Sequence, residues 1–145
     1  MSIRVLLTTA LILLAAAADA ATPPIVALGQ ITTRLDRRRA DLDRAFRRAV
    51  ETELARVDFE RVRSKERFVL SAALVRLETR SEQKRSRSSC AVSATLSYAR
   101  GGALHAVIDG RAQAENAPGA AHLAELAALE AAVKSVFERL PQALK

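Results

Sequence analysis

Between residues 90 and 116 the hydrophobic and polar positions alternate with period two, the spacing of strands with one covered face. Cys90, Val92, Ala94, Leu96 and Tyr98 fall on one side, and Ala91, Ser93, Thr95 and Ser97 on the other. After Gly101-Gly102 the alternation resumes, with Leu104, Ala106, Ile108, Gly110, Ala112 and Ala114 inward and His105, Asp109, Arg111, Gln113 and Glu115 outward. A glycine pair supplies positive-φ positions for a tight reversal, so the two runs predict a hairpin. Upstream, Phe68 to Thr79 (FVLSAALVRLET) is rich in apolar and β-branched residues and bounded by charged clusters, which predicts a mostly buried central strand.

Two stretches change to helical spacing. From Thr33 onward, Leu35, Leu42, Phe46, Val50, Leu54 and Val57 recur at steps of three, four or seven. Thr33 with Asp36 three residues later reads as a variant capping box at the start of this helix, and Asp43 with Arg47 as a favourable i,i+4 pair. Ala120 to Leu140 repeats the pattern with Leu123, Leu126, Leu129, Val133, Val136, Phe137 and Leu140, and Pro141 marks the stop. Ile25 to Leu28, between Pro23-Pro24 and Gly29, is an edge strand or an extended leader, and a short strand is expected around Phe59 to Val62. Asn116-Ala117-Pro118-Gly119 is a loop. These elements predict an α+β fold: a small antiparallel sheet of three or four strands with two helices packed on one face, in the order β, α, β, β, β, α.

The first residues belong to a different category. Met1 to Arg4 carries one positive charge, Val5 to Ala18 is apolar but for Thr8 and Thr9, and Ala18-Asp19-Ala20 follows. A basic start, a short apolar run and an A-x-A pattern are the layout of a secretory signal peptide. The run is shorter than the ~20 residues a helix needs to span a bilayer, so no permanent membrane span is expected. Cleavage near Ala20 would leave residues 21–145 as one domain, periplasmic or secreted.

Composition then narrows the chemistry. Half of the chain is hydrophobic, but only 3% is aromatic, there is no Trp, and there is one Cys. No disulfide can form within one chain; Cys90 is either a buried strand residue or a thiol for an intermolecular disulfide. The two histidines, His105 and His122, have no partner at a ligand spacing, so no metal is expected, and no phosphate-cradling glycine pattern points to a cofactor. Ser97, His105 and Asp109 could be drawn as a nucleophile, base and orienting acid, but without a nucleophile elbow that choice is arbitrary. Glu78 with Glu82 and Asp58 with Glu60 lie among arginines that would hold them ionised. A non-enzymatic protein is expected.

The formal net charge of +7 is distributed unevenly. Arg80 to Ser89 (RSEQKRSRSS) reads as a long polar loop carrying Arg80, Lys84, Arg85 and Arg87 against the single acid Glu82. It is either a mobile solvated tip or a contact for an anionic partner, with Arg37, Arg38 and Arg39 as a second patch. Nucleic acid is not expected, because the chain is exported and has few aromatic residues on which bases could stack.

The succession FVLSAALVRLET, SCAVSATLSYARGGALHAVIDGRAQAE and LAALEAAVKSVFERLPQAL resembles a group of bacterial envelope domains. The group includes the amino-terminal domain of the Tol translocation protein B and the lipoprotein activators of penicillin-binding proteins. The resemblance covers roughly Ile25 to Leu144 and implies an adaptor or partner-regulating role. The chain departs from it in having no cysteine near the end of the leader for lipid attachment. The sequence-based expectation is thus a periplasmic, non-enzymatic adaptor with an envelope protein as partner. The alternative is a polyanion- or membrane-surface-binding protein that uses its basic loop on anionic lipid or glycan.

Overall fold

The computed structural model describes residues 22–145; the expected signal peptide and cleavage near Ala20 lie outside the described residues. Four strands, β1 (Val26–Thr33), β2 (Phe68–Ser81), β3 (Ser86–Tyr98) and β4 (Leu104–Asn116), form one sheet in the order β1-β2-β3-β4. Helix α1 (Ala40–Arg56) links β1 to β2, and α2 (Ala121–Ala143) follows β4. The fold is α+β with the element order that the sequence pattern predicts. The sheet is mixed: β2, β3 and β4 form an antiparallel meander, while β1 joins β2 in parallel. Parallel neighbours cannot be joined by a tight turn, and α1 with its flanking links makes the crossover.

One sheet face is covered. Phe68, Leu70 and Leu74 of β2, Cys90, Val92, Ala94 and Leu96 of β3, and Ile108 of β4 are buried beneath the helices. Helix α2 lies across β2, β3 and β4, and α1 lies beside α2 and over the end of the sheet at β1. Leu129, Val133, Val136, Phe137 and Leu140 fill the space over the sheet, and Phe46 and Val50 bring α1 into the same cluster. Alanines at 124, 128 and 132 let α2 come very close, so that a Cβ placed on Gly110 would lie 2.3 Å from the Ala132 carbonyl oxygen. The opposite face carries Ser89, Ala91, Ser93, Thr95 and Ser97 of β3, all partly exposed.

The boundaries depart from the sequence reading at identifiable places. Thr33 belongs to β1, which runs on from Ile31 paired with Ala72, so it caps no helix. Helix α1 starts at Ala40 after Arg39, which makes no side-chain cap bond, and Leu35 packs on the core from the connecting segment. Arg47 lies 3.9 Å from Glu51 and does not pair with Asp43. Gly29 does not end β1; it sits where the β1–β2 register shifts between Leu28 and Ile31. The segment Phe59 to Val62 is a turn closed by the Val62 amide donating to the Phe59 carbonyl at 3.0 Å, not a strand. Helix α2 continues past Pro141 to Ala143, since a proline in the last turn removes one hydrogen bond without breaking the body of the helix. Leu123 is 55% exposed because the stripe facing the sheet runs through Ala124, Ala128 and Ala132.

Two turns set the sheet's ends. Gly101 and Gly102 have φ of +86° and +70°, as the pair was expected to supply, within a four-residue connection closed by the Tyr98 amide donating to the Ala103 carbonyl at 2.9 Å. In β4 the register shifts so that Leu96 pairs with Ala106 but Ser97 with Leu104, leaving His105 as an inserted residue. Such a bulge reverses the parity of everything on its far side. His105 therefore leaves the outer face predicted by strict alternation and stacks on Phe68 and Tyr98, with ring centroids 4.8 and 5.1 Å away.

Candidate functional site

The basic segment Arg80 to Ser89 is not a long loop. Strand β2 extends to Ser81 and β3 begins at Ser86, so only residues 82–85 turn, closed by the Glu82 amide donating to the Arg85 carbonyl at 2.8 Å. Ser86 and Ser88 are fully buried strand residues, and Ser88 Oγ lies 3.1 Å from Thr79 Oγ1. The hairpin brings in an acid from elsewhere in the sequence: Glu115 on β4 receives Arg87 at 2.7 Å and Arg85 at 3.1 Å. Arg87, then Arg85, hold the Glu115 carboxyl below the usual carboxylate range. Arg85 also contacts Glu82 at 3.3 Å. Of the four nominated cations, only Arg80 and Lys84 have no carboxylate partner among the described residues.

Arg37, Arg38 and Arg39 do not share one surface. Arg39 bonds Asp41 at 3.0 Å and Glu125 at 3.1 Å, tying the start of α1 to the start of α2. Glu125 also accepts the Thr79 hydroxyl at 3.0 Å, and its side chain is only 12% exposed. Arg37 borders one hollow with Thr79 and Glu125, whereas Arg38 borders another with Asp43 and Arg47. Both nominated groups sit at the end of the fold where the helices begin, and three of their six guanidinium groups, those of Arg39, Arg85 and Arg87, are held by carboxylates.

The remaining sequence candidates are separated by the sheet. Ser97 and Asp109 lie on the uncovered face, whereas the bulge carries His105 to the other. There its Nδ1 lies 3.0 Å from the Tyr98 hydroxyl and its Nε2 2.7 Å from the Ala143 carbonyl, a bond that serves one of the free carbonyls at the end of α2. Cys90 is 3% exposed on the helix face of β3, and burial pushes its thiol up to about 12. Pairing with a second chain would require β3 and α2 to part. The native thiol is expected to stay unmodified by a maleimide and to react once the chain is unfolded in denaturant; labelling of the folded protein at the rate of a free exposed thiol would show that this seam opens.

A further concavity lies at the opposite end, where both helices finish. It is a cleft of about 890 Å³ between the last turns of α1, the connecting segment 57–65 and the last turns of α2. Val57, Val62 and Pro141 supply apolar surface, with the buried Phe137 and Leu144 beneath them. Around it stand six cations, Arg56, Arg61, Arg63, Lys65, Lys134 and Lys145, against the three acids Glu53, Asp58 and Glu138. Arg56 is bound to Glu53 at 2.8 Å, and Arg61 lies 3.8 Å from Asp58. Arg63, Lys65, Lys134 and Lys145 have no carboxylate within ion-pair distance among the described residues. The shape of the segment 57–65 is set locally, by Asp58 accepting the Glu60 amide at 2.9 Å and Ser64 accepting the Glu66 amide at 3.1 Å. These cations are dispersed across 56–65, 134 and 145, so no single stretch of sequence marks them as a group. Cations in a single run of sequence were visible; cations gathered by two helix ends were not.

No family model matches the chain, and no curated protein does. Among solved structures, a protein provisionally named a lipoprotein from Caulobacter crescentus is similar over 79% of this chain and 86% of its own, with 18% identity and a TM-score of 0.46. A minor lipoprotein from Acinetobacter baumannii is similar over 78% of this chain and 90% of its own, with 8% identity and a TM-score of 0.42. A hypothetical protein from Chlamydia trachomatis is similar over 82% of this chain and 91% of its own, with 12% identity and a TM-score of 0.44. None of the three is named as a Tol translocation protein or an activator of penicillin-binding proteins. Among the described residues no helix is long and apolar enough to cross a membrane.

Proposed function

We propose that this protein is an exported, non-enzymatic binding domain of the bacterial envelope, an adaptor whose partner contact is the cleft between the helix ends. The observation that carries the reading is the cleft itself, where four of the six cations around the apolar surface, Arg63, Lys65, Lys134 and Lys145, have no carboxylate partner among the described residues. Ligand sites are typically concave, apolar and supplied with a few polar groups, and this cleft has that form. The apolar run and A-x-A pattern of the first residues support export. The hairpin at the other end is a weaker candidate, because Glu115 and Glu82 already engage Arg85 and Arg87.

The test is capture from solubilised envelope at low salt and at ~300 mM salt, the higher value chosen to shorten the screening length well below 10 Å. The bait is the full chain expressed with its leader and purified in its exported form. It is compared with a cleft variant (Arg63→Gln, Lys65→Gln, Lys134→Gln) and a hairpin variant (Arg80→Gln, Lys84→Gln). The expected result is a component retained by the parent protein and the hairpin variant and lost from the cleft variant. Loss from the hairpin variant with retention by the cleft variant would return the contact to the hairpin and overturn the reading.

A further inference from the structure

Resting on the reading that the cleft is the binding site, we infer that its ligand is an anionic lipid at a membrane surface. The negatively charged headgroup meets the rim cations, and the first acyl carbons cover the apolar floor. Four features point to this ligand in preference to an acidic protein segment.

The first is charge complementarity without a preformed counter-ion. Arg63, Lys65, Lys134 and Lys145 face the cleft with no carboxylate bound among the described residues, while Arg56 and Arg61 keep theirs. The second is the amphiphilic lining. Pro141, Val57 and Val62 form a partly exposed floor that a simple phosphate would leave wet but an acyl chain would cover. The third is the absence of strand residues from the lining, so an extended peptide has no backbone edge there to pair with.

The fourth is where the chain enters the fold. The Arg67 guanidinium donates to the Pro23 carbonyl, and the Phe68 amide to the Ile25 carbonyl at 2.8 Å. The residues that follow the apolar leader are thus fastened two positions beyond Lys65, at the cleft end. The Ala99 amide donates to the Arg67 carbonyl at 2.8 Å, which brings the β3–β4 turn and its exposed Arg100 to the same end. Leu104, just after that turn, is 62% exposed, the most exposed of the large hydrophobic side chains. Basic side chains near an anionic surface and an exposed apolar residue among them are the features of a membrane-facing end.

The experiment is co-sedimentation of the full exported chain with vesicles of phosphatidylcholine alone and of phosphatidylcholine containing phosphatidylglycerol, each at low and moderate salt. Binding is expected only where phosphatidylglycerol is present. Each rim cation contributes on the order of fivefold, so the triple cleft variant is expected to bind on the order of a hundredfold more weakly, with an unchanged circular dichroism spectrum. The hairpin variant should bind as the parent does. Lyso-phosphatidylglycerol should compete, whereas glycerol 3-phosphate and a polyglutamate peptide at equal charge should not.

Full competition by glycerol 3-phosphate would show a phosphate site without a lipid, and full competition by polyglutamate an acidic-protein site; either overturns the lipid assignment. Absence of vesicle binding, with envelope capture still lost from the cleft variant, would remove the lipid and leave the cleft as the site. Vesicle binding lost only from the hairpin variant would remove both.

Discussion

Replacing Phe46 by Ala is expected to lower the stability of this fold by about 3–5 kcal/mol. Phe46 is the largest of the fully buried side chains, and it joins α1 to the cluster formed by α2 and the sheet. Removing its ring takes apolar surface out of the core and leaves a hole that the helix cannot close, because Leu42 and Val50, one turn away on either side, are also fully buried. Domains of this size are stable by only about 5–15 kcal/mol, so the variant should unfold at a much lower urea concentration, with its slope unchanged if the transition stays two-state. Arg47 is the control, being next in sequence with a side chain 57% exposed. Arg47→Ala should change stability by no more than about 0.5 kcal/mol. A Phe46→Ala loss below about 1 kcal/mol would mean that α1 is not seated as described.

Replacing Gly110 by Ala or Val tests a different kind of contact, and there the ordinary expectation has the opposite sign. Glycine inside a strand is normally a weakness, and a β-branched replacement should help. Here an added Cβ would meet the Ala132 carbonyl oxygen at 2.3 Å and Val136 Cγ2 at 2.7 Å. A side chain can turn aside but a helix backbone cannot, so α2 would have to lift from β4 along the seam it shares with that strand. Overpacking of this kind costs about 1–3 kcal/mol, and Val should cost more than Ala. Urea unfolding of the two variants measures it. Unchanged or increased stability in either would show that α2 does not approach β4 this closely.

Gly110 also shows what the sequence could and could not reveal. Its place on the covered face of β4 was legible from alternation, but the reason for a glycine there lies in α2, more than twenty residues later. Regular features were readable because they are local. The period-two run of β3, the glycine turn after it and the helical stripe of α2 are written in neighbouring residues. The misplacements concern what only pairing reveals. His105 lies on the other face because of one inserted residue, and Thr33 is drawn into β1 by pairing with Leu74, more than forty positions away. The basic hairpin changed most: four cations counted against Glu82 alone became a pair-bonded tip once β4 brought Glu115 alongside. The cleft was invisible for the same reason, since Arg63, Lys65 and Lys134 become neighbours only when two helices end together.

The parallel joining of β1 to β2 has a consequence for the order of assembly. The β2–β3 and β3–β4 hairpins close connections of a few residues, whereas Val26 meets Phe68 only after more than forty residues have been gathered in. The entropy of closing a loop rises with its length, and non-local parallel pairs are the slow ones. The meander and α2 can therefore form a partial core while β1 is still free. The strand that comes first in the sequence is thus the last to be locked into the sheet.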